Sequence, residues 1–111
     1  MSTRLRNWFF VFLDRLDAAK ERRFLRQSFS RPVVRCYQRD DLKYYDKGYS
    51  VIVPGELMAG RKPERIIYRR SPLVWEQNGQ QLTLDEQERV FHFVGNYLDQ
   101  KKINWAFSDE K

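Results

Sequence analysis

Side chains that do acid–base, nucleophilic or metal chemistry work in positioned sets, and this sequence supplies them one at a time. Cys36 is its one cysteine and His92 its one histidine. A thiolate nucleophile needs a base at hand, and nothing in the sequence brings His92 to Cys36; the expectation for Cys36 is a small buried apolar residue. His92, between Phe91 and Phe93, lacks the companions of a metal site and is read as structural or surface. Glu56 and Glu76 are single carboxylates beside turns, without a partner acid, base or metal ligand at motif spacing. Each is read as a carboxylate accepting backbone N–H bonds. The sequence therefore implies no enzyme, no cofactor and no metal.

The elements that would position any site are clearer. Residues 4–27 have helical spacing, with Leu5, Trp8, Phe9, Phe12, Leu13 and Leu16 on one stripe. Phe10 and Val11 fall off it, so the apolar arc is wider than one core-facing side needs. Three readings stand for Trp8, Phe10 and Val11: cover by the core together with a second subunit or tail, a protein-partner surface, or a helix lying on a membrane. Pro32 ends the helix. Val33–Tyr37 is a possible short strand. Leu42–Asp46 and Tyr49–Val53 read as a hairpin closed at Lys47-Gly48, where Gly48 supplies the positive φ. Pro54, Gly55 and Glu56 break the second strand. Arg65–Arg70 resumes a strand, and Leu73, Val74 and Trp75 are expected to be buried.

After a polar loop over Gln77–Gln81, Thr83 stands three residues before Glu86, the pattern of a capping box. The helix should run over 84–100 with Val90, Phe91, Val94, Tyr97 and Leu98 inward. Phe93 lies off that stripe and marks a second contact surface. Ile103, Trp105 and Phe107 share one face of a last strand. The fold class expected is α+β: a small, mainly antiparallel sheet of four to five strands, packed by the second helix, with a basic, aromatic-rich helix before it. One domain is expected, with 1–30 as a helical extension and 33–107 as the α+β core.

Charge is divided unevenly. The formal net charge is +6, yet residues 1–39 hold ten Lys/Arg against three Asp/Glu and residues 40–111 hold eleven against twelve. The basic third, with Arg22, Arg23 and Arg26 on its helix, would attract acidic proteins, nucleic acid or an acidic membrane surface. A single cysteine fits the reducing cytosol. No run approaches the roughly 20 apolar residues of a spanning helix, and the six-residue run Trp8–Leu13 is short for a secretory signal. A cytoplasmic protein is expected.

One set of residues carries a resemblance. Val53-Pro54-Gly55-Glu56, then Tyr68 and Ser71, then Trp75-Glu76, then Glu88-Arg89 and a closing INWAF strand resemble a small bacterial immunity-protein family of polymorphic toxin systems. The similarity covers about Asp46–Phe107. It implies binding of a cognate toxin rather than catalysis, and carries no toxin-contact residue across. A nuclease-blocking mimic of nucleic acid should be acidic, whereas here Arg22, Arg23, Arg26, Arg31, Arg35 and Arg39 concentrate positive charge. The functions this sequence supports are a non-enzymatic protein-binding domain, toxin-neutralising or self-associating, then a small nucleic-acid-binding domain, then a membrane-surface protein.

Overall fold

The computed structural model describes residues 16–69 and 72–109. The positions Trp8, Phe10, Val11 and Ser71 singled out above lie outside them, as does the first part of the predicted N-terminal helix. Within them a helix, α1, occupies 16–27. Its sequence is almost wholly Leu, Ala, Lys, Glu, Gln and Arg, all strong helix formers. Glu21, Phe24 and Leu25 are its least exposed residues, and they share one side with the buried Ser28 just past its end.

Three strands follow: β1 (Val33–Tyr37), β2 (Asp41–Asp46) and β3 (Tyr49–Val53), forming an antiparallel sheet in that order. Lys47 (φ 50°) and Gly48 (φ 81°) make the two-residue turn between β2 and β3, the left-handed pair that matches the twist of a hairpin. Leu42 pairs with Val53 and Tyr44 with Val51, and these four point into the core. Lys43 and Tyr45 point the other way, toward α1. Because both faces of β2 are covered, all of residues 42–45 are buried.

The sheet then stops, and the expectation of one sheet of four to five strands is corrected here. A second three-stranded sheet is built from β4 (Gly55–Leu57), β5 (Arg65–Tyr68) and β6 (Trp105–Ser108). Pro54 offers no N–H to continue the first ladder. Gly55 passes so close to other backbone that a Cβ there would lie 2.5 Å from the Ile66 carbonyl oxygen and 3.0 Å from that of Asp40. The chain thus changes sheets at a corner only glycine fits: β3 ends before Pro54, as expected, and Gly55 and Glu56 at once begin the next strand. The amides of Gly55 and Leu57 that face away from β5 donate to the carboxylates of Asp41 (3.3 Å) and Asp40 (3.1 Å). Those two bonds tie the sheets together.

β4 and β5 are antiparallel, while β5 and β6 are parallel. Parallel neighbours need a crossover, and α2 (Leu84–Gln100) supplies it. Thr83 accepts from the Glu86 amide, and the Glu86 side chain accepts from the Thr83 amide. Val90, Val94 and Leu98 of α2 pack on Leu42, Tyr44, Val51, Val53, Ile67 and Leu73. Gly95 brings α2 against β6, since a Cβ there would sit 2.8 Å from the Trp105 ring. Phe93 is half-buried, packed on the core and 6.0 Å from the Tyr44 ring. Before α2, residues 73–82 fold back on themselves: Leu82 N–H donates to Leu73 O, Trp75 N–H to Gln80 O, and Val74 bridges Gln81. Leu73 is buried and Trp75 half-buried, but Val74 is exposed, because neighbours on extended chain point to opposite sides.

The two close approaches differ in what must yield. At Gly55 the obstacle is backbone, whereas at Gly95 it is a ring that can tilt. Gly55→Ala should therefore destabilise by about 2–3 kcal/mol, and by more than Gly95→Ala. Urea unfolding of the two variants measures the difference, and equal midpoints would contradict the corner described here.

Candidate functional site

The most concentrated charge chemistry lies between α1 and the first sheet. Lys43 has a 5% exposed side chain, and its ammonium sits 2.6 Å from Glu21 Oε1 and 2.8 Å from Glu76 Oε1. Arg35 donates to Glu21 Oε2 (2.5 Å) and, through Nε, to the Tyr45 hydroxyl (2.6 Å). Tyr45 in turn donates to Glu21 Oε2 at 2.8 Å. Two cations face two anions, and Phe24 stacks on Tyr45 beside them at 5.5 Å. Glu76 also accepts from Ser50 Oγ at 2.6 Å. Ser50, at the outer edge of β3, donates its amide to Gln77 Oε1 and accepts the Glu76 amide at its carbonyl. The 73–82 excursion thereby closes the edge of the sheet.

Proton transfer near neutral pH needs a group poised between its two forms. Here the groups are driven the opposite way. Burial would raise the Glu21 carboxyl, but bonds from Lys43, Tyr45 and Arg35 outweigh it and hold Glu21 below its ordinary 4.5. Burial would lower Lys43, but its bonds to Glu21 and Glu76 hold it above 10.5. The cluster is a clasp that fixes α1 to the sheet.

A groove of about 400 Å³ opens between the β2–β3 hairpin and the start of α2. Tyr44, Asp46, Tyr49, Trp75, Glu86 and Arg89 line it, with Lys47 at its margin. The Tyr44 hydroxyl donates to Asp46 Oδ2 at 3.1 Å, and burial followed by the Asp46 charge pushes its pKa up to about 12. Arg89 Nη2 lies 3.4 Å from the same oxygen while its side chain is 52% exposed. Tyr49 meets Trp75 edge to face at 5.9 Å and is itself exposed. A second groove of about 480 Å³ runs beside Phe91, His92, Trp105 and Phe107. Its rings are engaged with one another, Phe107 lying 5.5 Å from Phe91 and 4.9 Å from Trp105. The Trp105 N–H is taken by Asp99 and Arg69 by Asp109.

The residues weighed for chemistry are dispersed. Cys36 is exposed, not buried, with its sulfur 3.8 Å from the Tyr97 hydroxyl. Its strand is the outer strand of its sheet, and so covers it less than the central one covers Tyr44. His92 is exposed and meets Asn96 at 3.2 Å. Glu56 accepts from the Tyr68 hydroxyl at 2.5 Å. Glu76 belongs to the clasp, so its partners are side chains on β2 and β3 and not the local amides expected for a turn carboxylate. Among the described residues no cluster of three or more His, Cys, Asp or Glu is placed to hold a metal. Arg22, Arg23 and Arg26 stand on the exposed side of α1. The clasp had no signal in the sequence beyond the helix-face position of Glu21. Tyr49 read only as a strand residue, and Arg89 entered only through the Glu88-Arg89 pair of the resemblance, with nothing in the sequence to bring the two together.

The clasp sets a pH window. A depressed carboxylate contributes stability above its unfolded value and loses it as pH falls through the folded one; a raised lysine contributes below its unfolded value and loses it as pH rises through the folded one. The Glu21 contribution should therefore be present above 4.5 and vanish in acid, and that of Lys43 should persist to above 10.5. Glu21→Gln should cost about 2–3 kcal/mol at neutral pH and flatten the fall in the urea midpoint below about pH 4.5. An unchanged acid limb in that variant would remove Glu21 from the account. Compared with family models, with curated proteins and with solved structures, the chain matches none.

Proposed function

We propose that this chain is a non-enzymatic protein-binding domain whose contact face is the groove between the β2–β3 hairpin and α2. The observation that carries the reading is the trio Tyr49, Trp75 and Arg89 around one concave site. Trp, Tyr and Arg dominate the energetics of protein interfaces, because each combines a large apolar area with a polar tip. Val74 and Leu84 add exposed apolar area on the segments that frame the site. Its charges are balanced, Asp46 and Glu86 against Lys47 and Arg89, which suits a mixed protein surface better than a polyanion. The groups of the clasp are saturated by one another and locked in their charged forms, which favours a structural role for them over a catalytic one. The resemblance to bacterial immunity proteins names a toxin of a polymorphic system as the partner, and its Trp75 and Arg89 both stand at the groove.

The test uses the full chain and a Tyr49→Ala/Arg89→Ala variant, both residues being exposed and outside the clasp. Each is used to capture partners from native lysate after nuclease treatment, with readout by mass spectrometry and by solution mass. One protein should be retained in stoichiometric amount by the parent chain and at least about tenfold less by the variant. Equal retention by both, or loss of every partner on nuclease treatment, contradicts the reading; a doubled solution mass that the variant abolishes would make a second copy of this chain the partner.

A further inference from the structure

We propose that α1 is also a docking surface for an anionic lipid bilayer, lying along it with its arginines at the headgroup phosphates. At about 100° per residue, Leu16, Ala19, Arg22, Arg23 and Arg26 fall on one arc, opposite the Glu21, Phe24 and Ser28 that seat the helix on the sheet. All five are exposed. Among the described residues Arg22, Arg23 and Arg26 take part in no ion pair, although the clasp beneath them is charge-balanced. The guanidinium is the side chain whose planar fork fits a phosphate.

Charge alone would suit any polyanion; the apolar residues decide between them. Leu16 is 53% exposed and Phe29, just past the end of α1, is 71% exposed. The Phe29 position is fixed: its ring covers Gly48, where a Cβ would lie 2.6 Å away, while Ser28 holds the amides of Lys47 (3.0 Å) and Gly48 (2.8 Å). Exposed apolar side chains thus stand before and after the arginine row along the chain. In the sequence, Leu5, Trp8, Phe9 and Phe12 precede Leu16 at three- and four-residue steps. A duplex rewards the arginines but gives Leu16 and Phe29 no apolar medium to enter, and a single strand, which can stack a base on Phe29, still gives Leu16 none. A bilayer rewards both, since the acyl boundary takes the apolar side chains while the phosphates take the cations. No helix of the described residues is long and apolar enough to cross a membrane.

The experiment is flotation of the full chain with vesicles of phosphatidylcholine alone and of an equal mixture with phosphatidylglycerol. The protein should float with the mixed vesicles and not with the neutral ones. Each arginine near an anionic surface is worth roughly a fivefold change in partitioning, so Arg22→Gln/Arg23→Gln/Arg26→Gln should lower it by roughly a hundredfold. These substitutions spare Glu21, Phe24 and Ser28, and circular dichroism checks that the fold is kept. Leu16→Ser should weaken flotation while leaving its dependence on phosphatidylglycerol. Flotation indifferent to lipid charge or to the triple substitution overturns the proposal. So does absence of flotation with either vesicle, including the case in which the chain instead binds RNA or DNA in a salt-sensitive way. The groove takes no part, so either failure leaves the protein-binding reading standing.

Discussion

The arrangement depends on one buried ammonium. Lys43 is on the central strand of the first sheet, with Glu21 of α1 on one side and Glu76 of the 73–82 excursion on the other. A lysine taken out of water costs several kcal/mol unless anions replace the solvent, and here two separate segments must both arrive to provide them. Arg35 and Tyr45 then hold the second oxygen of Glu21. A helix and a loop with no covering ladder of their own are thereby tied to the same strand. The cost of leaving any member unpaired makes the clasp a device for specificity of docking, more than a source of net stability over an apolar equivalent.

The opposite side of that strand is conventional. Leu42 and Tyr44 enter an apolar core with α2, where burial and not charge decides. The contrast explains why β2 lacks the alternating exposure of a one-sided antiparallel sheet: every residue from Leu42 to Tyr45 is buried, and the alternation is between apolar core and polar clasp. The sheets meet at the corner set by Pro54 and Gly55, with Asp40 and Asp41 standing in for the strand that β4 lacks on its outer side. Carboxylates placed there satisfy amides that would otherwise be an exposed edge open to pairing with another chain.

What the sequence reveals follows the range over which each feature is encoded. The Lys47-Gly48 turn, the span of α2 and its Val90–Val94–Leu98 stripe depend on neighbours within a turn or two, and all are legible. The division into two sheets is not, because Pro54-Gly55 carries the same local signal whether a strand ends or changes sheets. The parallel pairing of β5 with β6 joins segments separated by the whole of α2. Burial of Val74 and Cys36 fails as an expectation for a related reason: apolar type gives a preference, and the face a residue occupies is set by a partner strand elsewhere. Of the candidate groove, Trp75 stands out by type alone, whereas Tyr49 and Arg89 join it only through the tertiary approach of the hairpin to α2.

The same logic separates the arginines. Arg35, Arg22, Arg23 and Arg26 are indistinguishable as entries in a charge count, yet Arg35 is spent on Glu21 and Tyr45 while the other three face solvent. The basic character of the first third is thus two populations, one that holds α1 down and one that α1 displays. Holding the helix by its inner face fixes the backbone from which the outer arginines project, so their spacing along the helix is set before they meet phosphates. Lys47 links this helix to the groove, since its amide donates to Ser28 at the end of α1 while its residue lines the groove margin. A surface-bound α1 would therefore fix the orientation of the hairpin, and with it the direction in which Tyr49 and Arg89 meet a partner.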